Sequence, residues 1–329
     1  MSALAPTLQA FFTQRLTTQR RASLHTIAAY RDAFCLLLDF VQQQTGKAPA
    51  KLRFEDLDAP RIGAFLDHLE RDRHNSARTR NARLAAIHSL FRFAALRHPE
   101  HAGLIGRVLA IPPKRFQRGI VTFLTDDQVE AILQAPDQTS FLGRRDHALL
   151  LLAVQAGLRV SELTSLTPSD VVLGTGAHVR CRGKGRKQRA TPLTATTAAV
   201  LAAWLDERTG TPTDPLFPTR QGAALSRYGV TLLVSRHAQT AAQHCPSLVT
   251  KTLSPHVLRH TAAMRLLHAG VDTSVIALWL GHEGIQTTQI YVHADLTLKE
   301  QALARTTPIG AHPGRYRPPD QLLAFLESL

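Results

Sequence analysis

Cysteine is scarce in this 329-residue chain. Cys35, Cys181 and Cys245 are far apart and odd in number, which excludes a disulfide framework and any zinc-finger spacing and fits a reducing cytoplasm. Long apolar runs are missing as well. The longest candidate, residues 147–154, has the length of a buried helix rather than a membrane span. The first residues lack the basic-then-apolar pattern of a secretory signal, and the chain has no internal repeat and no low-complexity tract. Acidic residues are also few, 25 against 39 Lys and Arg, for a net charge of +14. Residues 1–118 alone carry +10 and the remainder +4. An excess of this size points to a polyanionic partner, nucleic acid above all, with a generally soluble surface as the bland alternative.

The length allows two domains with their own cores. Four helical patterns fill residues 1–105. The first covers 7–16. The second is capped by Ser23, carries Leu24, Ile27, Tyr30, Phe34, Leu37, Leu38 and Val41 as its stripe, and stops at Gly46. Asp58 and Pro60 open the third, with Ile62, Phe65, Leu66 and Leu69 inward. Ser76 caps the fourth, with Leu84, Ile87, Phe91 and Ala94 inward. Arg78, Arg80 and Arg83 crowd the start of that helix, as phosphate and groove contacts would require, although any one of them also reads as part of a solvated face. A linker over residues 106–120 follows. Its two prolines extend the chain, and Lys114, Arg115 and Arg118 make it basic, like a strap laid over a phosphate backbone.

The second domain is expected over residues 121–305, with a tail over 306–329. Thr125 and Gln128 form a capping box. An apolar helix over 144–157 ends at Gly157, and Arg159 follows at once, three residues before Glu162, with which it can pair. Residues 171–173, 178–182 and 188–192 read as three short strands. Lys184 lies in the glycine-flanked turn between the last two, where it can swing to a ligand or simply be solvated. Helices follow over 195–208 and 228–243. Pro255 then opens a helix that sets His256 and Arg259 one turn apart, next to His260; a further helix over 274–280 ends at Gly281, with His282 directly after it and Tyr291 nine residues on. Residues 296–304 and 322–329 read as a last helix and an apolar turn.

Taken singly these signals are weak. A tyrosine in such a segment is more often core than nucleophile, and a histidine at a helix end is usually a cap. Several histidines together could suggest a metal site, but here arginines flank them where carboxylates or cysteines would be wanted, so no metal is expected and phosphate is the better guest.

As a set, Arg159, Lys184, His256, Arg259, His282 and Tyr291 stand in the order and local motifs of one family. Gly-Leu-Arg-Val-Ser-Glu-Leu, Gly-Lys-Gly-Arg-Lys, Pro-His-Val-Leu-Arg-His, Leu-Gly-His and the following Tyr291 resemble the tyrosine recombinase (phage integrase) family, especially its short bacterial Xer-type members, over about residues 7–305. The resemblance implies a mainly α fold with a small β-sheet: an N-terminal four-helix core-binding, SAM-like domain and a C-terminal α/β catalytic domain. It implies Tyr291 as the nucleophile, forming a 3′-phosphotyrosyl bond, with Arg159 and Arg259 clamping the phosphate and Lys184 protonating the leaving oxygen. His256 would be the acid/base, His282 a phosphate donor, and Glu162 and His260 supports behind them. Double-stranded DNA would be the partner and a tetramer on DNA the working form, with or without a partner recombinase, and with no cofactor. Integration and excision of a mobile element is the expected role. The alternatives are Xer-type dimer resolution, a catalytically silent DNA-binding homologue, and a relaxing enzyme like the type IB topoisomerases. The first helix begins near residue 7, so no additional arm-binding domain is expected.

Overall fold

A computed structural model describes residues 4–116, 121–183, 188–281 and Thr288. The chain divides into two compact units, Met1–Gly119 and Ile120–Leu329.

In the first unit, α1 (Leu4–Ala10) widens into a π-helical stretch, Phe11–Gln19. Helices α2 (Leu24–Thr45), α3 (Ala59–Arg71) and α4 (Ala77–Ala95) follow. Their starts are set locally: the side chains of Ser23, Asp58 and Ser76 each accept a hydrogen bond from the backbone N–H three residues on, satisfying a donor the helix cannot pair itself. The inward faces expected for α3 and α4 are buried in full. On α2 the stripe begins later than expected, since Leu24 is 83% exposed at the first helical position. A fifth helix, α5 (Ala102–Leu109), crosses residue 105; Leu104, Ile105, Val108 and Leu109 stand at helical spacing in it, but it is short and holds two poor helix formers, Gly103 and Gly106. Ile105 and Val108 nevertheless close the core built around Phe11, Phe34, Phe65 and Phe91.

Beyond α5 the chain is tied back to its own unit. The Asn81 side chain donates to the Lys114 carbonyl (2.8 Å) and accepts from the Lys114 N–H (2.9 Å), pairing as a neighbouring strand would. Arg80 donates to the Pro112 carbonyl (3.1 Å), and Lys114 Nζ pairs with Glu70 (2.6 Å).

In the second unit the Thr125–Gln128 capping box opens α6 (Asp126–Gln134). Helix α7 (Phe141–Ala156) runs through the core, packed on α6, on α9 (Ala195–Glu207) and on α11 (Pro255–His268). The one-turn α8 (Val160–Thr164) leads to an antiparallel sheet in the order β1 (Val171–Val172), β2 (His178–Arg182), β3 (Gln188–Pro192), which are the three strands read from the sequence. Helix α10 (Arg227–Ala242) closes the core, in which Leu150, Leu152, Leu201, Val230 and Val234 are buried. Helix α12 (Thr273–Leu280) packs on α11 through Ala263, Met264, Leu267, Ile276 and Leu280. Among the described residues no helix is long and apolar enough to cross a membrane.

Candidate active site

The site grows from the meeting of two helix ends, those of α7 and α12, on the flank of α11. Helix α7 stops at Gly157, whose φ of +62° is left-handed, and a Cβ added there would lie 2.6 Å from Leu280 Cδ2 and 3.0 Å from Ala262 Cβ. Glycine thus lets α7 end against both α11 and α12, and it delivers Arg159 to the same place. Pro255 fills the first turn of α11, where a missing N–H costs nothing, and puts Arg259 on the inward face with only 4% of its surface exposed.

The C-terminus of α12 is the focus. Its last carbonyls have no partner within the helix and form the negative end of its dipole. Three consecutive carbonyls there accept from three different arginines. Arg189 Nε donates to Trp279 (3.0 Å), Arg259 Nη2 to Leu280 (2.6 Å) and Arg159 Nη2 to Gly281 (2.7 Å). Arg259 Nη1 also reaches back to the Gly157 carbonyl (2.6 Å). The helix therefore ends in a cluster of fixed guanidinium groups directly before His282.

Glu162 joins two of these arginines. Its carboxylate accepts from Arg159 Nη1 (2.9 Å) and the Arg159 backbone N–H (2.8 Å), and from both Nη atoms of Arg189 (2.8 and 2.7 Å). Burial pushes its pKa up, but the hydrogen bonds and charges of Arg189 and Arg159 outweigh this and hold it below the ordinary value. Removing one partner from a buried pair of this kind costs about 3–5 kcal/mol. One carboxylate among three guanidinium groups leaves an excess of positive charge, as a phosphate site requires.

His256 is exposed on the first turn of α11 and stacks loosely on His260, with ring centroids 6.4 Å apart. His260 is half-buried. Burial, then the charges of His256 and Arg259, lower its pKa to about 4, so it is neutral near pH 7. Cys181, beneath the cluster, has its thiol pushed up to about 11, chiefly by burial, and is inert.

Of the residues expected from the sequence, the fold brings together Arg159, Arg259 and Glu162, with His256 and His260 on α11 beside them. Lys184, His282 and Tyr291 lie outside the described residues. Arg189 was not among the expected residues. Its signal is the two-residue period of β3, which puts it on the same face as the fully buried Thr191.

The expected DNA contacts of the first unit divide. Arg78 and Arg115 are exposed. Arg80 is only 6% exposed and holds Pro112, which corrects its reading as a surface contact. Arg83 is half-buried, its Nε without a hydrogen-bond partner, and burial followed by the charge of Arg73 lowers its pKa. Lys114 is exposed but paired with Glu70. Arg118 lies outside the described residues.

A helical unit is thus followed by a helical unit with a three-stranded sheet, which carries three arginines fixed at one helix terminus, an arrangement suited to an anionic ligand such as a phosphate. The sequence matches the phage integrase family over residues 122–297 and its N-terminal SAM-like domain over residues 10–98, and the chain belongs to that family. It is 54% identical, over 100% of its length and 99% of the relative's, to a Sinorhizobium fredii protein provisionally named integrase/recombinase y4rC. It is 35% identical to the tyrosine recombinase XerC of Pelobacter propionicus, covering 87% of this chain and 90% of that one, and 33% identical to XerD of Pseudomonas putida, covering 94% and 100%. The fold is shared with the XerH site-specific recombinase bound to palindromic difH substrate, at a TM-score of 0.70 and 24% identity, covering 87% of this chain and 81% of that one. It is also shared with the Tn1549 transposon integrase, at 0.68 and 16%, covering 91% and 99%. The protein is a tyrosine-type, site-specific DNA recombinase.

Proposed function

We propose that the chain cuts and rejoins DNA through a covalent 3′-phosphotyrosyl intermediate at Tyr291, and that it serves the integration and excision of a mobile element. The observation that carries this reading is the arginine cluster at the end of α12, where Arg159 and Arg259 are fixed by carbonyls immediately before His282. Guanidinium groups held this way need little reorganisation when charge builds on a phosphate, which is how fixed donors stabilise a transition state. In the proposed step the Tyr291 oxygen attacks phosphorus, the bond to the 5′-oxygen breaks, and the 3′ side stays on the protein. His256 takes the phenolic proton, and Lys184 gives one to the departing 5′-oxygen. Arg159, Arg259 and His282 bind the non-bridging oxygens. Attack by a 5′-hydroxyl of the partner strand reverses the step without an energy source. Exchange between two duplexes uses four active sites, hence a tetramer on DNA.

The mobile-element role draws on the full-length match to a protein named integrase/recombinase. Incubation with a supercoiled plasmid carrying DNA from the gene's own surroundings should give protein-linked DNA on a denaturing gel. Tyr291→Phe should bind the same DNA and give none. An adduct that survives this substitution removes Tyr291 from its role.

A further inference from the structure

We propose that Arg189 is a positioning residue for strand cleavage: it offsets the buried Glu162 carboxylate, so that the Arg159 guanidinium keeps its charge for the scissile phosphate. This rests on the reading of Arg159 as a phosphate clamp given above.

The geometry separates the two arginines. Arg189 lies with both Nη atoms on both oxygens of Glu162, the bidentate arrangement in which a guanidinium and a carboxylate neutralise each other most fully. Arg159 meets the same carboxylate through a single Nη atom and keeps 29% of its side chain exposed, against 12% for Arg189 and 2% for Glu162. Glu162 is thus a buried anion with two cations, one spent on it and one kept partly open. If Arg189 is removed, Arg159 becomes the only cation touching the carboxylate. A buried charge without enough compensation draws in whatever partner can reach it, and the Arg159 guanidinium would rotate onto Glu162 and away from substrate.

Arg189 also has little room to do anything else. Its Nε is held by the Trp279 carbonyl, and a Cβ at Gly281 would fall 2.7 Å from its Nη1, so the guanidinium is packed against the end of α12. Through that contact β3, the strand that follows the turn bearing Lys184, is fastened to the helix that precedes His282.

A simple structural rivet would account for the contacts, but it would not account for the charge. The two roles are separated by a second substitution. The full-length wild type, Arg189→Met, Arg189→Lys and the double variant Arg189→Met/Glu162→Gln are compared for adduct formation on a nicked duplex of the gene's flanking DNA, at saturating protein, together with their Kd for the same duplex. Arg189→Met should slow the single-turnover rate about 10²-fold, as a small misplacement of a clamping group does, while its Kd stays within about threefold of wild type. Arg189→Lys should fall between. The double variant, which no longer has a charge to offset, should regain about tenfold of the lost rate. A double variant no faster than Arg189→Met reduces Arg189 to a rivet and overturns the proposal, as does an Arg189→Met variant that cleaves like wild type. An absence of adduct from wild type on the nicked duplex overturns the phosphotyrosine reading itself, a different outcome from either of these.

Discussion

His260 illustrates how much a single side chain reports about its surroundings. An imidazole ordinarily takes its proton near 6.5, whereas burial beside His256 and Arg259 delays this one to about 4. As pH falls through that interval the unfolded chain binds a proton that the folded one refuses, so the unfolded state gains. Protonation of His260 therefore costs the fold nothing above pH 6.5 and progressively more down to about 4. His88 is also lowered by burial and slopes the same way, so the test compares variants rather than one curve. Chemical denaturation of His260→Gln should show a shallower loss of stability between those pH values than wild type, and an identical slope would mean that His260 titrates normally. Glu162, whose pKa is held below the ordinary 4.5, contributes its own loss further into acid.

Elements were legible where their causes are local. Ser23, Asp58, Ser76 and Thr125 cap helices because each satisfies an N–H three residues away, and such a signal is written in four consecutive letters. Two of the three strands were legible for a similar reason: the alternation along β2 and β3 and the Gly-Lys-Gly between them leave few other readings. Helix α5 was not, because its apolar stripe spans only two turns and is diluted by Gly103 and Gly106, and neither was Arg189, whose partners Glu162 and Trp279 lie 27 and 90 residues away. The stop at Gly157 was also read correctly, but its second purpose is tertiary. Gly157 and Gly270 have similar left-handed φ values, +62° and +80°, yet a Cβ meets Leu280 and Ala262 at the first and nothing within 4 Å at the second. Gly270→Ala should cost only the backbone strain, about 1 kcal/mol. Gly157→Ala should add the overpacking of α7 against α11 and α12, a further 1–3 kcal/mol or so. Urea titration of both variants measures the difference. Equal midpoints would show that α7, α11 and α12 separate easily at this junction, and the arginine cluster built on it would then be far looser than its hydrogen bonds imply.

Across the whole molecule the charge of +14 is spread over 39 basic side chains, and the fold decides which of them can reach a polyanion. Of the arginines and lysines expected to bind DNA in the first unit, Arg80 is buried and Lys114 is paired with Glu70, whereas Arg78 and Arg115 are exposed. Counting basic residues therefore overstates the contacts, and the salt dependence of binding supplies the correction, since each neutralised phosphate adds about 0.9 to the slope of log K against log salt. Titrating a fluorescent duplex between roughly 50 and 200 mM salt should give a steep slope for wild type. Arg78→Ala and Arg115→Ala should each lower it by about one unit and leave the thermal midpoint where it was. Arg80→Ala should do the reverse, keeping the slope while lowering the midpoint, because what it loses is the hold on Pro112 and a buried place on the inward side of α4. A slope that falls for Arg80→Ala and not for Arg78→Ala would move the DNA contact to a different face of the first unit and make the strap at Lys114, rather than the start of α4, the surface to map next.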